Sequence, residues 1–213
     1  MQYTLHHFYK GLRNRIYVGA TLMAFTLLFV SACQKETTGV PGSSSVSDQP
    51  PAGFEFPHTY QISANRGIFE VYSNAKQINP FPIPAELYFD KSLEEIINED
   101  MPSTITLKDK TTLSIPDYPD LNYFVKNQIL NVILEEDTFE FAKGNYESFQ
   151  LYYNLQYHAE NINDNQFSRT RKYAAELEPI NILLALQDLN LNTINDIKEK
   201  DTLAIHTIKI TYK

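Results

Sequence analysis

From about residue 57 onward, apolar and polar residues alternate in short runs along the chain. The clearest run is 149–159, where odd positions are apolar or aromatic and even positions are mostly polar. A period of two over that length predicts a β-strand with one face against a core and the other toward water. Shorter runs predict further strands at 68–72, 104–107, 112–115, 128–134, 138–141 and 203–212.

Two segments carry a helical spacing instead. Ser92 and Glu95 form a capping-box pattern ahead of a short apolar face, which predicts a helix over 92–98 that ends before Pro102. Leucines and isoleucines over 180–189 share one helical face, and a short turn follows at 194–197. Strands outnumber helices without alternating with them. The chain is therefore expected to be mainly β with minor α, as an antiparallel sandwich or partly closed barrel with two or three short helices.

The last predicted strand changes parity part-way along. Leu203 and Ile205 share one parity, whereas Ile208, Ile210 and Tyr212 share the other. Successive side chains of a strand point to opposite faces, so one face cannot take both sets unless an extra residue intervenes. We therefore expect a β-bulge near His206.

The N-terminal region has a different pattern. Three basic residues, Lys10, Arg13 and Arg15, precede an apolar run over 16–30, and no acidic residue occurs before Cys33. This layout predicts a secretory signal peptide over residues 1–32. The apolar run is shorter than the roughly 20 residues needed to cross a bilayer, which makes a transmembrane anchor the weaker interpretation.

Val30-Ser31-Ala32-Cys33 resembles the lipobox of bacterial lipoprotein precursors. The resemblance implies cleavage between Ala32 and Cys33, a diacylglyceryl thioether on Cys33 and acylation of the new amine. Gln34-Lys35-Glu36 resembles the tag that sends lipoproteins of the Bacteroidota to the cell surface, although it also fits an ordinary polar tether. The implied location is the bacterial cell envelope, anchored by lipid to the outer membrane, with the periplasmic or surface face left open.

Composition divides the remainder in two. Residues 33–56 are rich in Gly, Ser, Pro and Thr, which predicts a disordered tether, and the lipobox resemblance implies that this tether is lipidated at Cys33. Residues 57–213 are expected to form one β-rich globular domain. Removal of residues 1–32 takes three of the 18 basic residues and none of the 26 acidic ones, leaving a net charge of −11. Nucleic acid is therefore not expected as a partner, and membrane attachment is expected through acyl chains on Cys33.

Candidate chemical motifs are weak. Ser73-Asn74-Ala75-Lys76 matches a serine–lysine catalytic spacing without its companion motifs, so we interpret it as a polar turn. The run 161–165 imitates a calcium loop but has Gln166 and Lys172 where glycine and an acid are needed, which favours a hairpin loop. The histidines at 58, 158 and 206 are scattered. We expect no metal site, no cofactor and no catalytic residue.

Phe149, Tyr153 and Tyr157 share one strand face. They are candidates either for core packing or for lining a cavity that holds an apolar or carbohydrate ligand. The leading functional expectation is a non-catalytic binding, interaction or structural module whose partner is an envelope protein or a glycan. The alternative is a lipocalin-like or carbohydrate-binding carrier, and a hydrolase comes third.

Overall fold

The computed structural model describes residues 48–78, 86–90, 92–134, 136–163 and 166–213. Within these residues the chain forms ten strands, three α-helices and one 3₁₀ helix. The strands are β1 His58–Ser73, β2 Lys76–Ile78, β3 Thr104–Leu107, β4 Thr112–Ser114, β5 Leu121–Lys126, β6 Ile129–Leu134, β7 Asp137–Asn145, β8 Ser148–Asn163, β9 Gln166–Glu176 and β10 Thr202–Tyr212. The helices are α1 Glu86–Phe89, α2 Leu93–Asp100, α3 Ile182–Asp188 and the 3₁₀ helix Ile194–Asp196.

Eight strands close into an antiparallel barrel. β1 and β3 to β8 follow one another around the sheet, and β10 pairs with both β8 and β1 to complete the ring. The mainly β, antiparallel fold with few helices predicted from the sequence is confirmed, and the architecture is the barrel rather than the sandwich. Closure gives each of these eight strands a partner on both sides within the barrel.

Three strands continue beyond the barrel. β8 pairs with β7 only over residues 148–150 and then with β9 from Tyr152 onward. In the same way, β1 pairs with β3 at its start and with β2 at its end. Past the barrel, the strands therefore form a five-stranded extension in the order β2-β1-β10-β8-β9.

The predicted bulge in β10 is wrong. β10 pairs with β8 in an unbroken register, from Thr202 opposite Ala159 to Tyr212 opposite Phe149. The parity changes because both faces of the strand are buried: Leu203 and Ile205 pack under α3, whereas Ile208, Ile210 and Tyr212 point into the barrel core. The register shift lies in the neighbouring strand instead, between Arg66 and Phe69 of β1.

The barrel interior is packed with large side chains. Tyr60, Phe149, Leu151 and Tyr212 are each 0% exposed, so no water-sized space adjoins them. The hydroxyls of Tyr60 and Tyr212 both have backbone acceptors, Tyr60 donating to the carbonyl of Tyr146 at 2.8 Å and Tyr212 to that of Pro102 at 2.9 Å. Burial raises the pKa of both tyrosines, which keeps these hydroxyls protonated as donors.

The helices begin where local capping dictates. Ser92 accepts from the backbone N–H of Glu95 while the Glu95 side chain accepts from that of Ser92, which is the capping box predicted for α2. α3 begins two residues later than predicted, because the side chain of Asn181 caps it by accepting from Leu184 at 3.1 Å. The predicted turn near 194–197 is the 3₁₀ helix.

The molecule has two distinct ends. The described chain enters at the end that carries the β7–β8 turn, where Asp48 accepts from the backbone N–H of Gln128 and the Phe54 ring contacts Tyr146. Phe54 and Phe56 pack against the barrel core, so the packed chain begins before the predicted boundary at residue 57. We call this the proximal end. β8 has 16 residues and spans about 50 Å, which carries the β8–β9 hairpin to the opposite, distal end.

Candidate functional site

The three predicted aromatic residues lie along the buried face of β8. Phe149 is 0% exposed in the barrel, and its ring meets that of Tyr60 edge-on at 5.4 Å. Tyr153 and Tyr157 are 4% and 9% exposed and lie further along the strand, beneath α1 and α2. All three belong to the same continuous core cluster.

Tyr153 and Tyr157 fasten the two short helices to the sheet. The Tyr153 hydroxyl donates to the Asp100 carboxylate at the end of α2. Burial, and next the neighbouring Asp100 carboxylate, raise the pKa of Tyr153 far above its ordinary value, so the hydroxyl remains a donor. The Tyr157 ring meets that of Tyr88 on α1 edge-on at 5.5 Å.

Arg171 of β9 adds a second fastening for α1. Its Nη2 lies 2.6 Å from an Asp90 carboxylate oxygen, and its Nε donates to the Tyr88 carbonyl at 2.7 Å. The guanidinium also stacks 5.3 Å from the centre of the Tyr157 ring. Arg171 is therefore engaged on the aromatic side of the sheet.

A polar cavity occurs on the opposite face of β8. It has a volume of about 240 Å³ and lies between β8, β9 and the C-terminal end of α3. The residues that line it are Gln156, His158, Thr170, Arg171, Lys172, Asp188 and Leu189. The guanidinium of Arg171 itself lies on the aromatic face, against Tyr157 and Asp90. Tyr153 and Tyr157 do not line this cavity, because they occupy the other parity of the strand.

The distal hairpin presents an exposed edge. Within the described chain β9 pairs only with β8, and its side chains are exposed from Gln166 to Tyr173. Near the tip, Ile162 is 64% and Phe167 43% exposed. This hairpin combines a strand edge that no described residue pairs with and two exposed apolar side chains near its tip, and an exposed strand edge is typical of contact surfaces.

Asp201 supports the base of this hairpin. It is 4% exposed, and its carboxylate accepts from the backbone N–H of Asn161 at 2.8 Å and from that of Lys198 at 3.3 Å. Its carbonyl accepts from the Ser73 hydroxyl at 2.6 Å. The buried carboxylate thus joins β8, the loop before β10 and the β1–β2 turn.

The motifs at 73–76 and 161–165 belong to turns of the fold. Asn74 and Ala75 have φ values of 49° and 59° in the β1–β2 turn, and Ser73 is engaged by Asp201, as expected of a polar turn. The run 161–165 leads into the β8–β9 hairpin, with Asp164 and Asn165 outside the described residues. Within the described ranges, no group of three or more His, Cys, Asp and Glu side chains is arranged to hold a metal ion.

The three described histidines have different surroundings. The His58 ring contacts Phe54 and Tyr60 at the proximal end, and His206 is buried against Phe69. His158 is half-buried at the polar cavity. Ala32 and Cys33 lie outside the described residues.

The sequence interpretation missed β9 as a strand. The available signal was that Phe167, Arg169, Arg171 and Tyr173 alternate with the polar residues Ser168, Thr170 and Lys172. Because Arg169 and Arg171 are polar and share the parity of Phe167 and Tyr173, the alternation of apolar and polar residues that identified β8 is absent from β9.

A scan against protein-family models and searches of curated proteins and of solved structures found no match to this chain. In the part of the chain that the structure describes, no helix combines the length and apolar character required to traverse a bilayer.

Proposed function

We propose that this protein is a lipid-anchored lipoprotein of the bacterial cell envelope that works as a non-catalytic contact module. The single observation that carries the contact role is the distal hairpin, whose exposed strand edge and exposed Ile162 and Phe167 side chains lie about 50 Å along β8 from the end where the chain enters. The described chain begins at the proximal end, so an anchor at Cys33 attaches the domain by that end. The distal hairpin then points away from the membrane, toward a partner.

The burial of the aromatic side chains in the core favours the contact function over that of a ligand carrier. A carrier needs a cavity bordered by its binding side chains. Phe149 and its barrel neighbours Tyr60 and Tyr212 are 0% exposed, and Tyr153 uses its hydroxyl to hold α2. The closed eight-stranded barrel is the one feature that a lipocalin-like carrier shares, and it keeps that function as the second candidate.

The anchor depends on Cys33, the one cysteine of the chain. We expect Cys33→Ser to abolish incorporation of labelled palmitate and to move the protein from the membrane to the soluble fraction, because serine offers no thiol for the lipid transfer. Cells expressing the unchanged chain provide the control. Equal labelling and unchanged fractionation of the two proteins would refute the lipid anchor.

The contact role predicts where the protein touches its neighbours. A photo-crosslinking amino acid at Phe167 is expected to give discrete adducts in intact cells. The same replacement at Phe124 gives few, because Phe124 is similarly exposed (37% against 43%) but lies on barrel strand β5. Adducts are detected by immunoblotting after irradiation. Equal adduct patterns from the two positions would argue against a distal contact surface.

A further inference from the structure

We propose that the unpaired edge of β9 binds an extended acidic segment of a partner protein, which joins the sheet as an additional strand. This inference deepens the contact function proposed above and rests on it. The partner segment must have two properties. Its backbone must be free to form strand hydrogen bonds, and its side chains must include carboxylates.

The backbone of β9 is suited to strand addition. The strand has 11 residues without proline or glycine, and all its pairing in the described chain is with β8. Its outer N–H and C=O groups can therefore pair with an incoming strand, which gives affinity from main-chain hydrogen bonds. β2, at the other edge of the extension, has only three residues and offers far fewer such groups.

The charge of β9 selects for acidic side chains. The mature chain is strongly acidic, yet β9 carries Arg169, Arg171 and Lys172 within four positions. Arg171 pairs with Asp90, and Lys172 pairs with Asp188 on α3. Arg169 is exposed and forms no ion pair with any described residue, so it is the cation available to a partner carboxylate.

The polar cavity lies beside the middle of this edge. Thr170 and Lys172 of β9 line it, and it reaches Gln156 and His158 on β8. An added strand lies about 4.8 Å from β9, so a long side chain on that face can enter the cavity. Main-chain pairing and one inserted side chain together give both affinity and selectivity.

Charge disfavours pairing with a second copy of this chain at the middle of the edge. In an antiparallel pair, directly opposite residues must present their backbone groups in the same direction, so they share parity. Every two-fold pairing of β9 centred on one of residues 169–172 then places a cation opposite a cation. Like charges directly opposite each other destabilise a sheet, which favours a different and acidic partner.

The test uses the full-length chain in detergent micelles and synthetic peptides of 11 residues, the length of β9. One peptide alternates threonine and glutamate, and a second alternates threonine and lysine. Two further versions of the glutamate peptide are N-methylated at the odd or at the even amides. Binding is measured by fluorescence anisotropy of labelled peptides.

We expect the glutamate peptide to bind about ten-fold or more tightly than the lysine peptide, and Arg169→Glu to reverse that preference. Lys126→Glu makes the same charge change on barrel strand β5, whose edges are both paired, and should leave the preference intact. Methylation of one set of amides should abolish binding, while methylation of the other set should have little effect.

Other outcomes overturn the inference. Equal binding of the two methylated peptides would mean adsorption by charge alone, and absence of glutamate-peptide binding would exclude the acidic partner. If peptide binding fails while crosslinking through Phe167 persists, the contact function stands without strand addition. If palmitate labelling fails while peptide binding persists, only the lipid anchor is lost.

Discussion

Replacing Gly144 with alanine should destabilise the protein by about 3 kcal/mol or more. Gly144 has a φ of +147°, which L side chains rarely adopt, and a Cβ at this position would lie 2.0 Å from the carbonyl oxygen of Ser148. Its N–H also donates to the Gln128 carbonyl at 2.7 Å, which ties the β7–β8 turn to the β5–β6 turn. The clash involves backbone on both sides, so the start of β8 must move away from β7.

Urea denaturation followed by circular dichroism measures this effect. Gly53→Ala is the matched control, because Gly53 also has a positive φ, +87°, but nothing lies within 4 Å of the added carbon. We expect the control to lose about 1 kcal/mol, the cost of the backbone conformation alone. Similar losses for the two variants would show that the close approach at Gly144 is not a constraint on the fold.

Replacing Phe149 with alanine should cost about 3–5 kcal/mol, a large part of the stability of a single domain. The ring is 0% exposed and meets Tyr60 edge-on at 5.4 Å and Tyr146 at 6.4 Å. Truncation removes these contacts and leaves a cavity that the closed barrel cannot collapse, because its strands are pairwise hydrogen-bonded around the ring.

Thermal unfolding of Phe149→Ala can be compared with that of Phe167→Ala, whose ring is 43% exposed at the distal hairpin. We expect the second variant to unfold within a few degrees of the unchanged protein, since exposed side chains usually contribute within about 0.5 kcal/mol. A mild effect at Phe149 would indicate that its ring borders accessible space, and would favour the carrier function over the contact function.

The two ends of the molecule separate the proposed anchor from the proposed contact surface. The chain enters beside the β7–β8 turn, and the residues that hold the distal hairpin, above all Asp201, lie at the far end of β8. A change at one end leaves the hydrogen bonds of the other end in place. Lipidation and partner binding can therefore be tested separately on the same chain.

Local interactions alone determined several elements. The capping box of Ser92 and Glu95 is closed within one turn of helix, so its sequence pattern was sufficient to locate α2. The β3–β4 turn is equally local, since Asp109 accepts from the backbone N–H groups of Thr111 and Thr112, both at 2.8 Å. The alternation along β8 was readable because its odd positions face one core.

Tertiary structure decided the remainder. The parity change in β10 was interpreted as a bulge, but it arises because α3 covers one face of the strand and the barrel core covers the other. Whether a sheet closes depends on β10 reaching both β1 and β8, a pairing between residues distant in the sequence. Local pattern carries no information about such contacts.

The β9 edge and its surroundings were likewise determined partly by the sequence and partly by the fold. The sequence by itself placed Phe149, Tyr153 and Tyr157 on one face and gave the expectation of a lipid anchor at Cys33, because each depends only on neighbouring residues. It could not show that β9 is an edge strand, since an edge is defined by the strand that is missing beside it. Only the fold brought Arg169, the open edge and the cavity at His158 together at the distal end.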